Sequence, residues 1–169
     1  MIIFLITIFF SVNSIATEQE AISHIKKLGK SLKSELVKAM KVNPQEAVKV
    51  CNTNAAKITS KISNKTIQVG RVSRKLRNPN NKIQKWMEKY IQELEAKKID
   101  KKYITVNISE TKRGILMPIK TQGVCLKCHG KNISNNLHST INELYPSDQA
   151  IGYKRGEIRG YFWAQYESL

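Results

Sequence analysis

Residues 123–130, Gly-Val-Cys-Leu-Lys-Cys-His-Gly, restrict this chain more than any other stretch. Two thiols three positions apart, followed at once by an imidazole, commit Cys125, Cys128 and His129 to each other or to a shared guest. Whatever they hold, the rest of the fold has to enclose it. Three chemistries compete. A structural zinc site needs four closed ligands in tetrahedral geometry, and adjacent Cys128 and His129 are awkward partners on one small ion. A thioredoxin-type redox pair opens a helix after the first strand of a βαβ pattern, whereas this pair comes late, behind a predicted hairpin. Covalent haem attachment needs this arrangement as written. The two thiols add across the two vinyl groups of the porphyrin, and the histidine falls under the iron as its proximal ligand. The spacing therefore favours one covalent haem c, with a Cys125–Cys128 disulfide as the competing reading.

His129 accounts for one side of such an iron. The other side is empty or is filled by Cys51, His24, His138 or one of Met40, Met87 and Met117. His138 follows the motif too closely to swing to the opposite face. His24 falls on the polar side of a predicted helix, and Met117 is the strongest of the methionines. Cys51 is the odd thiol of the chain, prone to oxidation if exposed. It is either a buried, inert thiol or an iron ligand.

The N-terminus bears on where this chemistry happens. "MIIFLITIFFSVNSIA" carries an apolar run from Ile2 to Phe10, with Ser14 and Ala16 placed for cleavage. The run is too short to span a bilayer and reads as a secretory signal peptide over residues 1–16. A single mature domain, residues 17–169, is then expected in the periplasm, with no later integral membrane segment. The 29 Lys and Arg against 13 Asp and Glu give a net charge of +16. A nucleic-acid binder would show such an excess, but an exported chain without an aromatic-interleaved basic motif does not suit that role. A solvated basic surface is the plainer account.

Apolar positions every three or four residues predict a helix over 17–40, with Ile22, Ile25, Leu28, Leu32, Leu36 and Ala39 on one face. Asn43 and Pro44 start a second, to about Ile62, whose inward stripe takes in Ala47, Val50, Cys51, Asn54 and Ile58. "TIQVGRVS" alternates like a strand. Asn81, in the turn "RNPNN", is expected to cap a third helix whose apolar face is Ile83, Trp86, Met87, Tyr90, Ile91 and Leu94. "YITVNIS" and "GILMPIK" read as strands joined by a turn near 111–114. Residues 133–144 read as a short helix, and "GEIRGYFWAQY" as a last strand. Helices first, then strands with interposed helices, argue for an α+β domain with an antiparallel sheet.

Four stretches together, "AVKVCNTNAAKI", "GRVSRKLRNPNN", "MPIKTQGVCLKCHG" and "LYPSDQAIGYKRGEIRG", resemble the Tll-like c-type haem domain family of exported single-haem proteins. The likeness runs in order from about residue 20 to residue 166. It implies a PAS-like antiparallel sheet with N-terminal and flanking helices around the haem. Cys125 and Cys128 would hold the porphyrin, and His129 and Cys51 would be the two axial ligands, Cys51 as thiolate. The propionates bring two negative charges that need neutralising or exposure. Arg71, Arg74 and Arg77 are the nearby cations, and Arg77, leading into the "NPNN" turn, is the expected partner. Tyr145, Asp148, Tyr153 and Arg159 are read as structural.

The function expected is a redox or diatomic-gas sensor, or a single-electron carrier serving a redox partner protein. The alternative is a haem enzyme, a peroxidase or nitrogen-oxide reductase, which needs an open iron position with acid/base groups beside it. Iron held on both faces argues against the enzyme.

Overall fold

A computed structural model describes residues 15–97 and 101–168. The predicted signal stretch lies almost wholly outside the described residues.

Helix α1, Glu18–Met40, starts where Thr17 and Glu20 close a reciprocal cap. The Thr17 hydroxyl accepts from the Glu20 amide at 3.2 Å, and the Glu20 carboxylate accepts from the Thr17 amide at 2.8 Å. Helix α2, Pro44–Ile62, starts as expected at Asn43, whose side chain accepts from the Glu46 amide at 2.7 Å. Proline at the first helical position has no amide to leave unsatisfied. Strand β1, Ile67–Val72, follows.

Two boundaries differ from expectation. Asn78, not Asn81, is the capping asparagine, and it opens only a 3-10 turn, Pro79–Asn81. Helix α3, Lys85–Ala96, begins later, at Gln84, without a side-chain cap. The proline claims the nearer asparagine for its own turn, so Ile83 lies ahead of the helix. The hairpin of β2, Ile104–Asn107, and β3, Lys112–Lys120, turns over 108–111, slightly earlier than predicted. A 3-10 turn, Gly123–Cys125, then leads into the single-turn helix α4, Leu126–His129. Helix α5, Asn135–Leu144, and strand β4, Ile158–Glu167, complete the chain.

The fold is α+β. Its four strands form one antiparallel sheet in the order β1-β4-β3-β2, so the last strand to be made fills the centre. Each face of the sheet carries its own core. Ile67, Val69, Ile115, Ala164 and Tyr166 pack against Ile22, Ile25 and Leu28 of α1. On the other face Val72, Leu116 and Tyr161 pack against Met87, Ile91 and Leu94 of α3. A smaller cluster joins Val48 of α2 to Leu137, Ile141 and Tyr145, and Cys128 packs against it.

The inward stripe expected on α2 is only partly correct. Ala47 is buried, but Val50, Asn54 and Ile58 are half-buried and Cys51 is exposed. Val48 and Ile62 carry the remaining burial of this helix. Helix α2 touches α1 on one side and α5 on the other, and the stripe between them stays partly open. At the margin of the α1 core lie five more half-buried hydrophobic side chains: Leu32, Ile58, Tyr103, Met117 and Phe162.

Gly160 in β4 has a steric reason. A Cβ there would run into the carbonyl oxygen of Val72 and come within 3.2 Å of the Ser73 Cβ. Gly160→Ala is expected to destabilise the chain by about 1–3 kcal/mol, whereas Gly123→Ala, whose Cβ would meet nothing within 4 Å, should change stability by less than about 0.5 kcal/mol. Urea unfolding of the two variants checks this.

Candidate functional site

Strand β3 delivers the motif. Its register against β4 shifts at Ile119/Lys120, and the next residue, Thr121, is buried and tied down. Its amide donates to the Glu157 carbonyl at 2.8 Å and its hydroxyl to the same oxygen at 3.0 Å. From that anchor the chain winds through one helical turn, in which Cys125 and Cys128, three residues apart, come round to the same side. Gly130 ends the turn, its amide donating to Leu126 at 2.9 Å, and a Cβ there would stand 2.5 Å from that oxygen. All three cysteines are free thiols. Among the described residues, no group of three or more His, Cys, Asp and Glu side chains is assembled to hold a metal ion.

His129 is held from several directions. Its Nδ1 lies 2.7 Å from the Ala150 carbonyl. That oxygen can only accept, so Nδ1 carries the proton and Nε2 keeps its lone pair. The Tyr153 amide donates to the His129 carbonyl at 2.9 Å, and the Tyr153 ring meets the imidazole edge-on with centroids 6.3 Å apart. Burial, chiefly, and then the positive charges of Arg77 and Arg159 push the imidazole pKa down to about 3. The ring is therefore neutral at ordinary pH, with one nitrogen fixed and the other available. A histidine that ligates a metal needs this state.

The acceptor Ala150 is itself positioned. Asp148 accepts from the Ala150 amide through Oδ1 at 2.9 Å and from Arg77 through Oδ2 at 2.8 Å. The same Arg77 nitrogen donates to the Cys128 carbonyl at 2.6 Å. Both partners of this ion pair are largely buried, with side-chain exposures of 11% and 4%. Arg77, expected to face the propionates, is thus engaged by the protein's own carboxylate and by the motif's backbone. Sequence reading gave Asp148 no chemistry. Its signal was the turn "YPSD" two residues before Ala150, but nothing in the sequence says that Ala150 faces His129.

Cys51 reaches the same neighbourhood from α2. Val48, one turn earlier, shares a cluster with Cys128, and Cys51 contributes to the electrostatics of the Cys128 thiol. Cys51 is open to water on one side, yet the protein around it pushes its thiol pKa up. Burial is the main cause, opposed by Arg71 and then Arg77. Burial likewise raises the Cys128 thiol, against the pull of Arg77. The other axial candidates fall elsewhere. The Nδ1 of His24 lies 2.8 Å from the Ile62 carbonyl. His138 is exposed and pairs with Asn142 at 3.2 Å. Met87 is buried on the α3 face of the sheet. Met40, the last residue of α1, is half-buried, and Met117 is half-buried on the α1 face of the sheet, opposite Phe162 in the β3–β4 register.

The family model described as Tll0287-like matches residues 11–165. Among solved structures, the crystal structure of the cyanobacterial heme-protein Tll0287 aligns with a TM-score of 0.70 at 22% identity. The alignment covers 91% of this chain and 98% of that one. That likeness shows the fold. No curated protein matches.

Two outcomes follow from the clamp around His129. Asp148→Ala leaves Arg77 buried without its partner and should cost about 3–5 kcal/mol, read by urea unfolding of the haem-free chain. The double change Arg77→Met with Asp148→Leu should recover much of that loss. The second concerns pH. A folded pKa of about 3 lies below the unfolded value of 6.5, so the unfolded chain takes up the proton first as pH falls. Stability from this group is complete above pH 6.5 and is lost as pH drops toward 3, at up to roughly 1.4 kcal/mol per unit. In His129→Gln that slope should be absent from otherwise parallel unfolding curves.

Proposed function

Because the chain belongs to the Tll0287-like family, we propose that it is an exported c-type haem protein that senses redox state or a diatomic gas by exchanging one of two axial ligands. The solved neighbour is a heme-protein, and the residues of this chain suit the same guest. Two free thiols stand three residues apart in one helical turn, and a neutral imidazole presents its unprotonated nitrogen beside them. Half-buried apolar side chains lie on the sheet face served by α1. When bound, the haem supplies a one-electron iron couple.

The chain's own residues do the rest. The Cys125 and Cys128 thiols would hold the porphyrin by adding across its vinyl groups, sulfur to one carbon and proton to the other, which needs no oxidant. His129 supplies Nε2 to the iron, and the Ala150 carbonyl strengthens it as a donor by holding Nδ1–H. Cys51 would supply sulfur as the second iron ligand, and a thiolate there would favour the ferric state. One porphyrin then uses all three cysteines. In this reading residues 1–16 direct export, and the folded domain, residues 17–169, works in the periplasm.

The observation that carries the sensor reading is the inequality of the two axial candidates. His129 is fixed through its ring and its backbone. Cys51 is exposed, and no hydrogen bond from the described residues restrains its thiol. The weakly held ligand is the one that a change of iron charge, or an incoming diatomic molecule, displaces. A single-electron carrier keeps both ligands through its cycle.

Protein matured in a host with cytochrome-maturation machinery should gain the mass of one haem, and Cys125→Ala with Cys128→Ala should abolish that gain. Cys51→Ser should alter the ferric absorption spectrum, and carbon monoxide should bind rapidly to the reduced wild type. A colourless product of unchanged mass rules out the haem assignment. Refusal of carbon monoxide by the reduced protein rules out the sensor in favour of the carrier.

A further inference from the structure

The charges around the motif do not cancel. Three arginines act on one neighbourhood: Arg71 and Arg77 on Cys51, and Arg77 and Arg159 on His129. Two of them are committed. Arg77 is held by Asp148 and the Cys128 carbonyl, and Arg159 donates to the Ser73 hydroxyl at 2.6 Å and the Lys75 carbonyl at 3.1 Å. Arg74, midway between Arg71 and Arg77 in sequence, points elsewhere and binds Glu88 and Glu95 at 2.8 Å each. Arg71 has no hydrogen bond or ion pair with any described residue, although burial is the leading influence on its guanidinium, pulling its pKa down. Arg71 is half-buried, and a guanidinium that makes no ion pair with the described residues is free to take an anionic group from outside the chain.

The position of Arg71 says which anion. Alternation along β1 puts Arg71 on the same sheet face as Ile67 and Val69, the face covered by α1. It lies opposite Phe162, which in turn lies opposite Met117. Phe162 and Met117 are among the half-buried apolar side chains at the margin of that core, with Ile58 two turns along α2 from Cys51. Cys51 and Tyr145 are the groups whose charge Arg71 feels. An open apolar margin, ended by an unpaired guanidinium beside a candidate iron ligand, suits a flat apolar guest with a carboxylate at its edge.

We infer that Arg71, rather than Arg77, binds a propionate carboxylate of the porphyrin. The inference rests on the haem reading above. A guanidinium presents paired N–H donors that match a carboxylate's two oxygens, and the Arg71 guanidinium is not engaged by a carboxylate of the described residues.

The test uses the matured holoprotein. In Arg71→Gln the resonance Raman band of the propionate bending mode should shift, and the midpoint potential should fall, because a positive charge near the iron is gone. Arg71→Lys, which keeps the charge, should return the potential most of the way. Arg74→Gln should leave band and potential unchanged. A propionate band that is identical in Arg71→Gln and wild type overturns the assignment, as does a shift of that band in Arg74→Gln. Should Arg71→Gln fail to mature, the band in Arg71→Lys decides, since replacing a two-pronged donor by a point charge must still move it. A wild-type product without haem is a separate outcome: it removes the haem reading and this inference with it.

Discussion

The buried pair of Arg77 and Asp148 is the constraint on which the site depends. One guanidinium nitrogen reaches both the Asp148 carboxylate and the Cys128 carbonyl, while the other carboxylate oxygen takes the Ala150 amide. The Ala150 carbonyl then takes His129 Nδ1. Four residues from three separated parts of the chain thereby close a ring around the imidazole. The ring fixes which nitrogen is protonated and how the histidine plane is turned. A buried charge pair is poor evidence of stability for its own sake, and here its clearer consequence is orientation. Every contact made by His129 toward the protein leaves the same ring nitrogen unused.

The sheet explains how distant segments come to meet. Strand β4 is last in sequence but central in the sheet, so the loop ahead of it, which carries Asp148, Ala150 and Tyr153, must pass the end of β3 where the motif begins. Thr121 joins those two places through the Glu157 carbonyl. The helices divide the work. Helix α3 seals one sheet face, α1 covers the other, and α2 lies against α1 and carries Cys51 toward α4 and α5. What remains partly uncovered is an apolar margin that includes Leu32, Ile58, Met117 and Phe162.

Much of this was legible in the sequence. The apolar repeats located α1 and α2 almost to the residue, and Asn43 was legible as the cap of α2, because helix ends depend on a few local side chains. The alternation in 66–73 located β1, and the stretch 156–166 was legible as the last strand, β4. The run "NPNN" was harder, since two asparagines competed for one cap and the proline decided for Asn78. Local patterning also misjudged Cys51. A helical stripe says which residues share a side, not whether a neighbour covers that side, and here it stays partly open. The roles of Arg77 and Asp148 were out of reach for a related reason. A pair separated by 71 positions is set by strand order, which no short motif records. The four quoted stretches did identify the family, and two of them contain the two members of that pair.

X-ray absorption at the iron edge of the ferric, matured protein tests the central claim most directly. The account predicts one sulfur scatterer in the first coordination shell together with the nitrogen ligands, and its loss in Cys51→Ser. A first shell of nitrogen alone in the wild type would contradict the pairing of His129 with Cys51, and a protein without iron would contradict the whole account.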